Sequence, residues 1–349
     1  MLSYIIINAN ELQLERDYYT MKKKLAMLLG IMLLLVVLAG ITIHIIAEKS
    51  DREAANAGEQ LRIISTFYPV YMIGLNLTEG MDGVQIDSLT DLNTGCLHDY
   101  QLTTEDMKLI SNADVMIING GGMEGFLEDV MSNYPQLAVI DASEGITMLS
   151  SEEDHHDHDA DEHDDEHSHG EWNAHVWLDP QLYIRQINNV AEGLKGLIHS
   201  DSIEKNADAY IAKIEELDAQ IAELKRQYEE KFKEGSGQQA QGMQAVIFHD
   251  AFLYLANRVG ISVAHTVTLD SDTALSAGEI AEIVEEVKQD KIRYLFTEEQ
   301  FSDSIAGRIA AETGATVSII DSAVTGDGAS DSYLRSMQKN IDTLTGLIQ

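Results

Sequence analysis

The chain has 349 residues, of which 44% are hydrophobic, and a formal net charge of -36. This length suffices for about two domains of ordinary size, and a charge of this sign repels nucleic acid and anionic lipid and attracts cations. The single cysteine, Cys96, excludes an intrachain disulfide, a Cys-rich zinc ribbon and an iron–sulfur cluster, and its thiol is interpreted as buried or merely tolerated.

Residues 1–60 form an N-terminal extension that carries a targeting signal. Three lysines, Lys22 to Lys24, precede an almost wholly apolar run over residues 25–47. A charged segment followed by an apolar core indicates a secretory signal, although the run exceeds about 18 residues and is long enough to stay as a membrane anchor. Because lysines remain on the cytoplasmic side, the rest of the chain is predicted to be extracytoplasmic, either periplasmic or at the cell surface.

Short apolar segments rich in Val and Ile alternate with helical patterns on both sides of one long helical segment. We predict strands at 62–69, 84–89, 115–120, 137–142, 245–250, 262–267, 293–298 and 316–321. Helices are predicted between them, for example at 103–113 and at 276–290, where Ser276 and Glu279 match a capping box. The alternation predicts an α/β protein with two Rossmann-like lobes and mainly parallel sheets.

A long amphipathic helix is predicted over residues 202–233. Apolar side chains recur there at spacings of three and four, at Ile211, Ile214, Leu217, Ile221, Leu224 and Tyr228. A coiled-coil dimer seam is the competing interpretation, but a helix between two α/β halves favours a rigid connection within one chain. The predicted organisation is therefore a lobe at 61–201, the linking helix, and a second lobe at 234–349.

A histidine- and carboxylate-rich run occupies residues 152–169. It holds six histidines, ten carboxylates, one Ala and one Ser, so it has no large apolar side chain with which to build a core. We predict weak binding of several metal ions at His155, His156, His158, His163, His167 and His169. The run is interpreted as a collector or sensor of such ions, and the alternative is a dispensable solvated loop.

Metal-capable side chains follow several of the predicted strands. His98 follows the strand at 84–89 through a glycine-containing loop, and His249, Glu298 and Asp321 stand at the ends of three later strands. His175 lies just after the histidine-rich run. Ligands of open parallel sheets bind beyond the carboxyl ends of the strands, so these positions predict a metal site in a cleft between the lobes.

Five short motifs occur in a fixed order along residues 61–349. They are "HDYQLT", "HVWLDP", "FHDAFLYLANRVGI", "YLFTEEQFS" and "IIDS". Together they resemble the solute-binding proteins of zinc and manganese ABC importers, the cluster A-I family. The resemblance implies two lobes joined by a rigid helix, one metal ion held between them, and high-affinity extracytoplasmic Zn²⁺ capture by a monomer that delivers the ion to an ABC permease membrane subunit.

The same resemblance implies a set of metal ligands. The family's ligand positions match His98, His175 and His249, with a fourth, carboxylate position at Asp321 and Glu298 as the second choice for it. Three imidazoles and one carboxylate suit Zn²⁺, whereas Mn²⁺ prefers more oxygen ligands. Zinc is the predicted cargo, and a Mn²⁺ or Fe²⁺ binding protein of the same type remains the alternative.

Three carboxylates adjacent to these histidines are candidates for orienting the imidazole rings. Asp99, Asp179 and Asp250 could hold the imidazoles by hydrogen bonds. For Asp179 we favour a different role, as the N-cap of a helix that begins at Pro180.

An enzyme is not expected. The sequence has no HExxH motif, and no Ser, Cys or Lys stands out as an activated nucleophile. A metal-dependent surface adhesin involved in cell adhesion, or a dedicated zinc store, remains the alternative outside transport.

Overall fold

The computed structural model describes most of the chain after residue 60. The described residues are 21–23, 60–98, 100–150, 172–233, 243–267, 275–298 and 305–348. Residues Leu61–Gln349 form one compact unit, separate from residues 1–60. The predicted signal or anchor at 25–47 and the histidine-rich run at 152–169 lie outside the described residues. Within those residues, no helix combines the length and apolar character needed to span a membrane.

The first half is a four-stranded parallel sheet with helices between its strands. Its elements are β1 (Leu61–Ser65), α1 (Tyr68–Leu77), β2 (Val84–Ser88), α2 (Thr104–Asn112), β3 (Val115–Ile118), α3 (Leu127–Asn133) and β4 (Ala138–Asp141). The strand order is β2-β1-β3-β4 and every pairing is parallel. Helix α2 begins with a capping box between Thr103 and Asp106, which explains why the chain turns into a helix there.

A short antiparallel ladder and two helices follow the first sheet. They are β5 (Leu149–Ser150), β6 (Trp172–Asn173), α4 (Pro180–Leu197) and α5 (Ser202–Lys233). Asp179 accepts a hydrogen bond from the backbone N–H of Gln181 at 2.8 Å, so its predicted role as N-cap is confirmed. Helix α5 has 32 residues and is the long helix that the apolar periodicity predicts.

The second half repeats the parallel architecture. Its elements are β7 (Gln244–Ile247), α6 (Phe252–Val259), β8 (Ser262–Thr266), α7 (Ala277–Gln289), β9 (Tyr294–Thr297), α8 (Gly307–Thr313), β10 (Thr316–Ile319) and α9 (Ser332–Ile348). The strand order is β10-β9-β7-β8, again all parallel. The predicted capping box of Ser276 and Glu279 is present at the start of α7. Two parallel sheets and a long helix confirm the predicted fold class.

The two sheets share one hydrophobic core. Alternate residues of β7 point to opposite faces, so Ala245 and Ile247 join the large core that also contains the first sheet and α5. Val246 and Phe248 face the other way, into a smaller core that α7 and α8 cover. The inner face of the second sheet is therefore packed together with the first half.

The C-terminal segment returns to the first half. The indole N–H of Trp177 donates to the carbonyl of Ser322 at 2.8 Å, and the hydroxyl of Tyr333 donates to the carbonyl of Trp177 at 2.6 Å. Helix α9 packs against α5. Asn340 on α9 exchanges two hydrogen bonds of 2.7 Å with the backbone of Asp321, which fixes the chain just after β10.

Candidate metal centre

The candidate centre lies where the carboxyl ends of strands from both sheets come together. Cys96 and His98 lie in the loop after β2, His175 follows β6, and His249 follows β7. Since β9 pairs with β7, Glu298 emerges beside His249. The Nε2 atoms of His98 and His175 lie 3.4 Å apart, and Cys96 connects His175 of the first half to His249 of the second.

His175 is the most firmly held of these side chains. It is completely buried, and its backbone N–H donates to Oδ1 of Asn173 at 3.0 Å. The same oxygen lies 2.9 Å from Nδ1 of the ring, while the amide nitrogen of Asn173 donates to the carbonyl of Asp250. Because Oδ1 can only accept, Nδ1 carries the ring proton. The lone pair of Nε2 is therefore available to a metal ion.

Cys96 completes a compact cluster with the histidines. Its Sγ lies 3.4 Å from Nε2 of His175 and 3.7 Å from Nε2 of His249. Among the described residues, Cys96, His175 and His249 form the group whose potential ligand atoms all lie within 4.8 Å of one another. His98 adjoins this group through His175 and is the most exposed of the four.

Two carboxylates border the cluster. Oε1 of Glu298, which is buried, lies 3.4 Å from Nδ1 of His249, the ring nitrogen that does not face Cys96. Oδ1 of Asp250 lies 3.6 Å from Nδ1 of His175 and 3.7 Å from Nε2 of His249. Carboxylates in such positions orient an imidazole and increase its basicity.

Asp321 occupies a different position. Its Oδ1 accepts a hydrogen bond of 2.8 Å from the backbone N–H of Ala323, a residue with a φ of 52°. Its backbone is fixed by Asn340. Within the described part of the chain, the structure brings together His98, His175 and His249, and none of these is a hydrogen-bond or ion-pair partner of Asp321.

The pKa values of His175, Cys96 and His249 are shifted in different directions by their surroundings. Burial lowers the pKa of His175 well below its ordinary value, and the neighbouring His249 and His98 lower it further. Burial raises the pKa of the Cys96 thiol. For His249, burial favours the neutral ring, but Cys96 and Glu298 outweigh it and raise the pKa well above its ordinary value. The neutral ring is thus favoured for His175 and the protonated ring for His249.

Sequence reasoning missed Cys96 and Asn173. From the sequence, Cys96 is interpreted as a buried or merely tolerated thiol, although it stands two residues before His98 in the same loop. On an extended chain, residues two apart face the same side, and the fully buried Leu97 between them faces the core. The Cys-x-His spacing is the sequence signal from which a shared orientation of Cys96 and His98 could have been predicted.

The two halves are joined beside the centre by Tyr254 of α6. Its hydroxyl donates to the carbonyl of Asn173 at 2.6 Å and accepts from the backbone N–H of Leu149 at 3.0 Å. Both partners belong to the β5–β6 ladder, which joins the chain on the two sides of residues 151–171. Ser150 and Trp172, the described residues on either side of this segment, are therefore paired, and Trp172 stands three residues before His175.

The fold is that of a two-lobed α/β protein, and imidazole and thiol side chains lie close together where its two parallel sheets meet. Residues 63–346 match the family described as ZnuA, zinc-uptake complex component A, periplasmic. This match covers most of the chain, so the protein belongs to that family. The family description is that of a transport component.

Curated relatives and solved structures agree with this membership. The zinc-binding lipoprotein AdcA of Streptococcus pneumoniae strain R6 is 29% identical over 297 residues, which cover 82% of this chain and 56% of the relative. The high-affinity zinc uptake system protein ZnuA of Bacillus subtilis is 26% identical over 303 residues, covering 83% of this chain and 88% of the relative. The chain thus spans little more than half the length of the streptococcal relatives.

Among solved structures, Zn(II)-bound AdcA from Streptococcus pneumoniae has a TM-score of 0.64 at 25% identity, with 82% of this chain and 57% of that chain covered. The Pseudomonas aeruginosa solute-binding protein FpvC in complex with Mn²⁺ has a TM-score of 0.69 at 22% identity, with 83% and 99% covered. At that identity, the second likeness concerns the fold alone.

Proposed function

We propose that this protein captures Zn²⁺ outside the cytoplasm and delivers it to the membrane subunit of an ABC permease. The observation that carries the proposal is the convergence of His98, His175 and His249 from two halves of the molecule. Three imidazoles in one cluster suit Zn²⁺ better than Mn²⁺, which prefers oxygen ligands. The family membership and the zinc-binding relatives support the same cargo.

Export and attachment are part of the proposal. Residues 25–47 would direct the chain out of the cytoplasm and are either cleaved or kept as an anchor, and the lipoprotein and periplasmic relatives support an extracytoplasmic location. The protein would act as a monomer, and the weak sites of the run at 152–169 would supply zinc to the cleft.

Delivery requires that a tightly held ion can leave. A centre whose ligands all come from the protein binds tightly and keeps no open position for catalysis. The shared core of the two sheets and the long helix α5 favour small local movements over a wide opening. Docking on the permease would therefore act on the loops that carry the ligands.

The direct test is metal analysis of the full-length protein, purified in mild detergent and equilibrated with a competing chelator that strips weak sites. We expect one tightly bound zinc per chain. His98→Ala, His175→Ala and His249→Ala should each weaken binding by about 100-fold or more, because each removes a ligand. The matched control is His199→Ala, which removes an exposed histidine away from the centre.

Full zinc content in all three variants would overturn the site, and tightly bound manganese in place of zinc would overturn the cargo. The transport role is tested separately in the native cell. Deleting the gene should lower uptake of radiolabelled zinc at low external concentration and leave manganese uptake unchanged.

A further inference from the structure

We propose that Cys96 is the fourth metal ligand, so that the centre is a tetrahedral site of three imidazoles and one thiolate. This inference rests on the proposed zinc binding and specifies the donor set of the same site. It differs from the carboxylate at Asp321 that the family resemblance implies, and it gives the only cysteine of the chain a function.

The distances between ligand atoms match the edges of a zinc tetrahedron. Typical bonds of about 2.0–2.1 Å to nitrogen and about 2.3 Å to sulfur give edges of about 3.4 Å between two nitrogens and about 3.6 Å between sulfur and nitrogen. The observed separation is 3.4 Å for the Nε2 atoms of His98 and His175. Sγ of Cys96 lies 3.4 Å from His175 and 3.7 Å from His249. Three of the six edges therefore have the lengths that a shared ion requires. His98 lies outside the group of Cys96, His175 and His249 in the described residues, so its ring has to move toward these side chains to complete the tetrahedron.

Hydrogen bonding explains how the same atoms stay together without metal. Nε2 of His175 lacks a proton, because Nδ1 donates to Asn173, so it can accept the thiol proton of Cys96. His249 can in turn donate from Nε2 to the sulfur. When zinc binds, the protons on the sulfur and on Nε2 of His249 leave to solvent. The ion then bonds to Sγ of Cys96 and to the Nε2 atoms of His175 and His249. The cluster is thus arranged in advance for ligation.

The neighbouring carboxylates are less well placed for the fourth position. Asp321 directs Oδ1 to the backbone N–H of Ala323. Glu298 lies at Nδ1 of His249, on the side of the ring away from Cys96. Asp250 lies 3.7 Å from Nε2 of His249, but at His175 it approaches Nδ1, the nitrogen that is protonated, and not the Nε2 atom that faces Cys96.

The backbone around Cys96 fixes the direction of its side chain. Gly95 has a φ of 88°, which favours glycine and turns the chain just before the cysteine. Leu97 is completely buried and anchors the loop in the large core. The loop is therefore held on both sides of Cys96, and the thiol and His98 face the cleft together.

A thiolate ligand changes the selectivity of the centre. Soft sulfur donors favour zinc, whereas Mn²⁺ is best bound by carboxylates, carbonyls and water. On Zn²⁺ the three imidazoles are neutral and the thiolate supplies one negative charge. Discrimination against manganese should therefore depend on Cys96 more than on any carboxylate near the site.

Cobalt provides a spectroscopic test, because Co²⁺ takes the zinc position and gives an ultraviolet charge-transfer band only when a thiolate binds it. We expect this band in the full-length Co²⁺-loaded protein under reducing conditions, and its loss in Cys96→Ser with the visible bands of bound cobalt retained. Asp321→Asn and Glu298→Gln are the matched controls and should keep it. Cys96→Ala should weaken zinc binding by about 100-fold, with a much smaller effect on manganese.

X-ray absorption at the zinc edge is the second measurement. It should show one sulfur neighbour at about 2.3 Å beside nitrogen neighbours at about 2.0–2.1 Å. A wild-type protein that binds cobalt and zinc without the charge-transfer band and without a sulfur neighbour would overturn the role of Cys96 while leaving zinc capture intact. A wild-type protein that binds no zinc at all would instead overturn the proposed function.

Discussion

His175 and His249 come from different halves of the molecule and are oriented by groups of opposite character. The neutral amide of Asn173 supports His175, which is completely buried, whereas the carboxylate of Glu298 stands behind His249, whose side chain is 18% exposed. The pKa of His175 is lowered and that of His249 is raised. In the proposed metal site, the first half thus supplies a fixed neutral imidazole, and protons compete with the metal ion mainly at His249 in the second half.

The packing of Trp177 against His175 is the first feature to test, because it fixes the ligand candidate of the first half. Trp177 is completely buried, touches the ring of His175 edge-on at 5.1 Å between centroids, and bonds to Ser322. Trp177→Ala should lower the free energy of unfolding by about 4 kcal/mol, as for large aromatic truncations in cores. Urea denaturation measures this loss. Trp177→Phe keeps most of the packing and should lose about 2 kcal/mol, because the carbonyl of Ser322 is left without its donor.

Glu124 in the first half gives a pH-dependent test. It is buried and accepts hydrogen bonds from the hydroxyl of Thr66 and from the backbone N–H groups of Asn119 and Gly120. Burial raises its pKa from 4.5 to about 7. The folded state therefore holds this proton more tightly than the unfolded state does. The resulting stabilisation is full below pH 4.5 and is lost as the pH rises to about 7.

Glu124→Gln removes this titration. Relative to the variant, the wild type should lose up to about 3 kcal/mol of unfolding free energy across that range, since one pKa unit corresponds to about 1.4 kcal/mol. Denaturation at a series of pH values measures the two slopes, and Glu128→Gln, an exposed residue on α3, is the control. Equal slopes in the wild type and in Glu124→Gln would show that Glu124 does not titrate differently on folding.

The smallest expected effect concerns the two groups that orient the ligands. Asn173→Ala should weaken zinc binding by about 10–100-fold, the usual range for such partners. Glu298→Gln should have the smaller effect, about 10-fold, because the amide oxygen can still accept from His249. Chelator competition measures both, and Asn188→Ala on the exposed face of α4 is the control. If Glu298→Gln proved the more damaging change, the first half would not be the better-fixed one.

Local sequence patterns predicted the elements well. Each predicted strand is present, usually ending a few residues earlier than predicted, and the caps at Asp179 and Ser276 are confirmed. These features depend on neighbouring residues, so spacing and composition reveal them. Spacing does not indicate the position of the C-terminal helix α9, because its return to the first half depends on contacts such as the one between Tyr333 and Trp177, which are 156 residues apart.

The site could be predicted only in part, because some of its features follow from local sequence rules and others depend on distant residues. The rule that ligands lie beyond the carboxyl ends of parallel strands drew attention to His98, His175 and His249, which the structure brings together. Their role as ligands stays a prediction. The environments of Asp321 and Cys96 could not be read from spacing, because they depend on Asn340 and on the facing half of the molecule.

Tyr254 affects how fast the candidate centre can open, in addition to holding its two sides in place. Its hydroxyl spans from α6 to both strands of the β5–β6 ladder, so any opening between the loops of His175 and His249 breaks two hydrogen bonds at once. Such a bond pair raises the barrier to opening without touching the ion. We therefore expect the residence time of a bound ion to be adjustable independently of its affinity. For the proposed function this separation matters, because a bound ion must stay until the protein docks on the permease and must leave promptly afterwards.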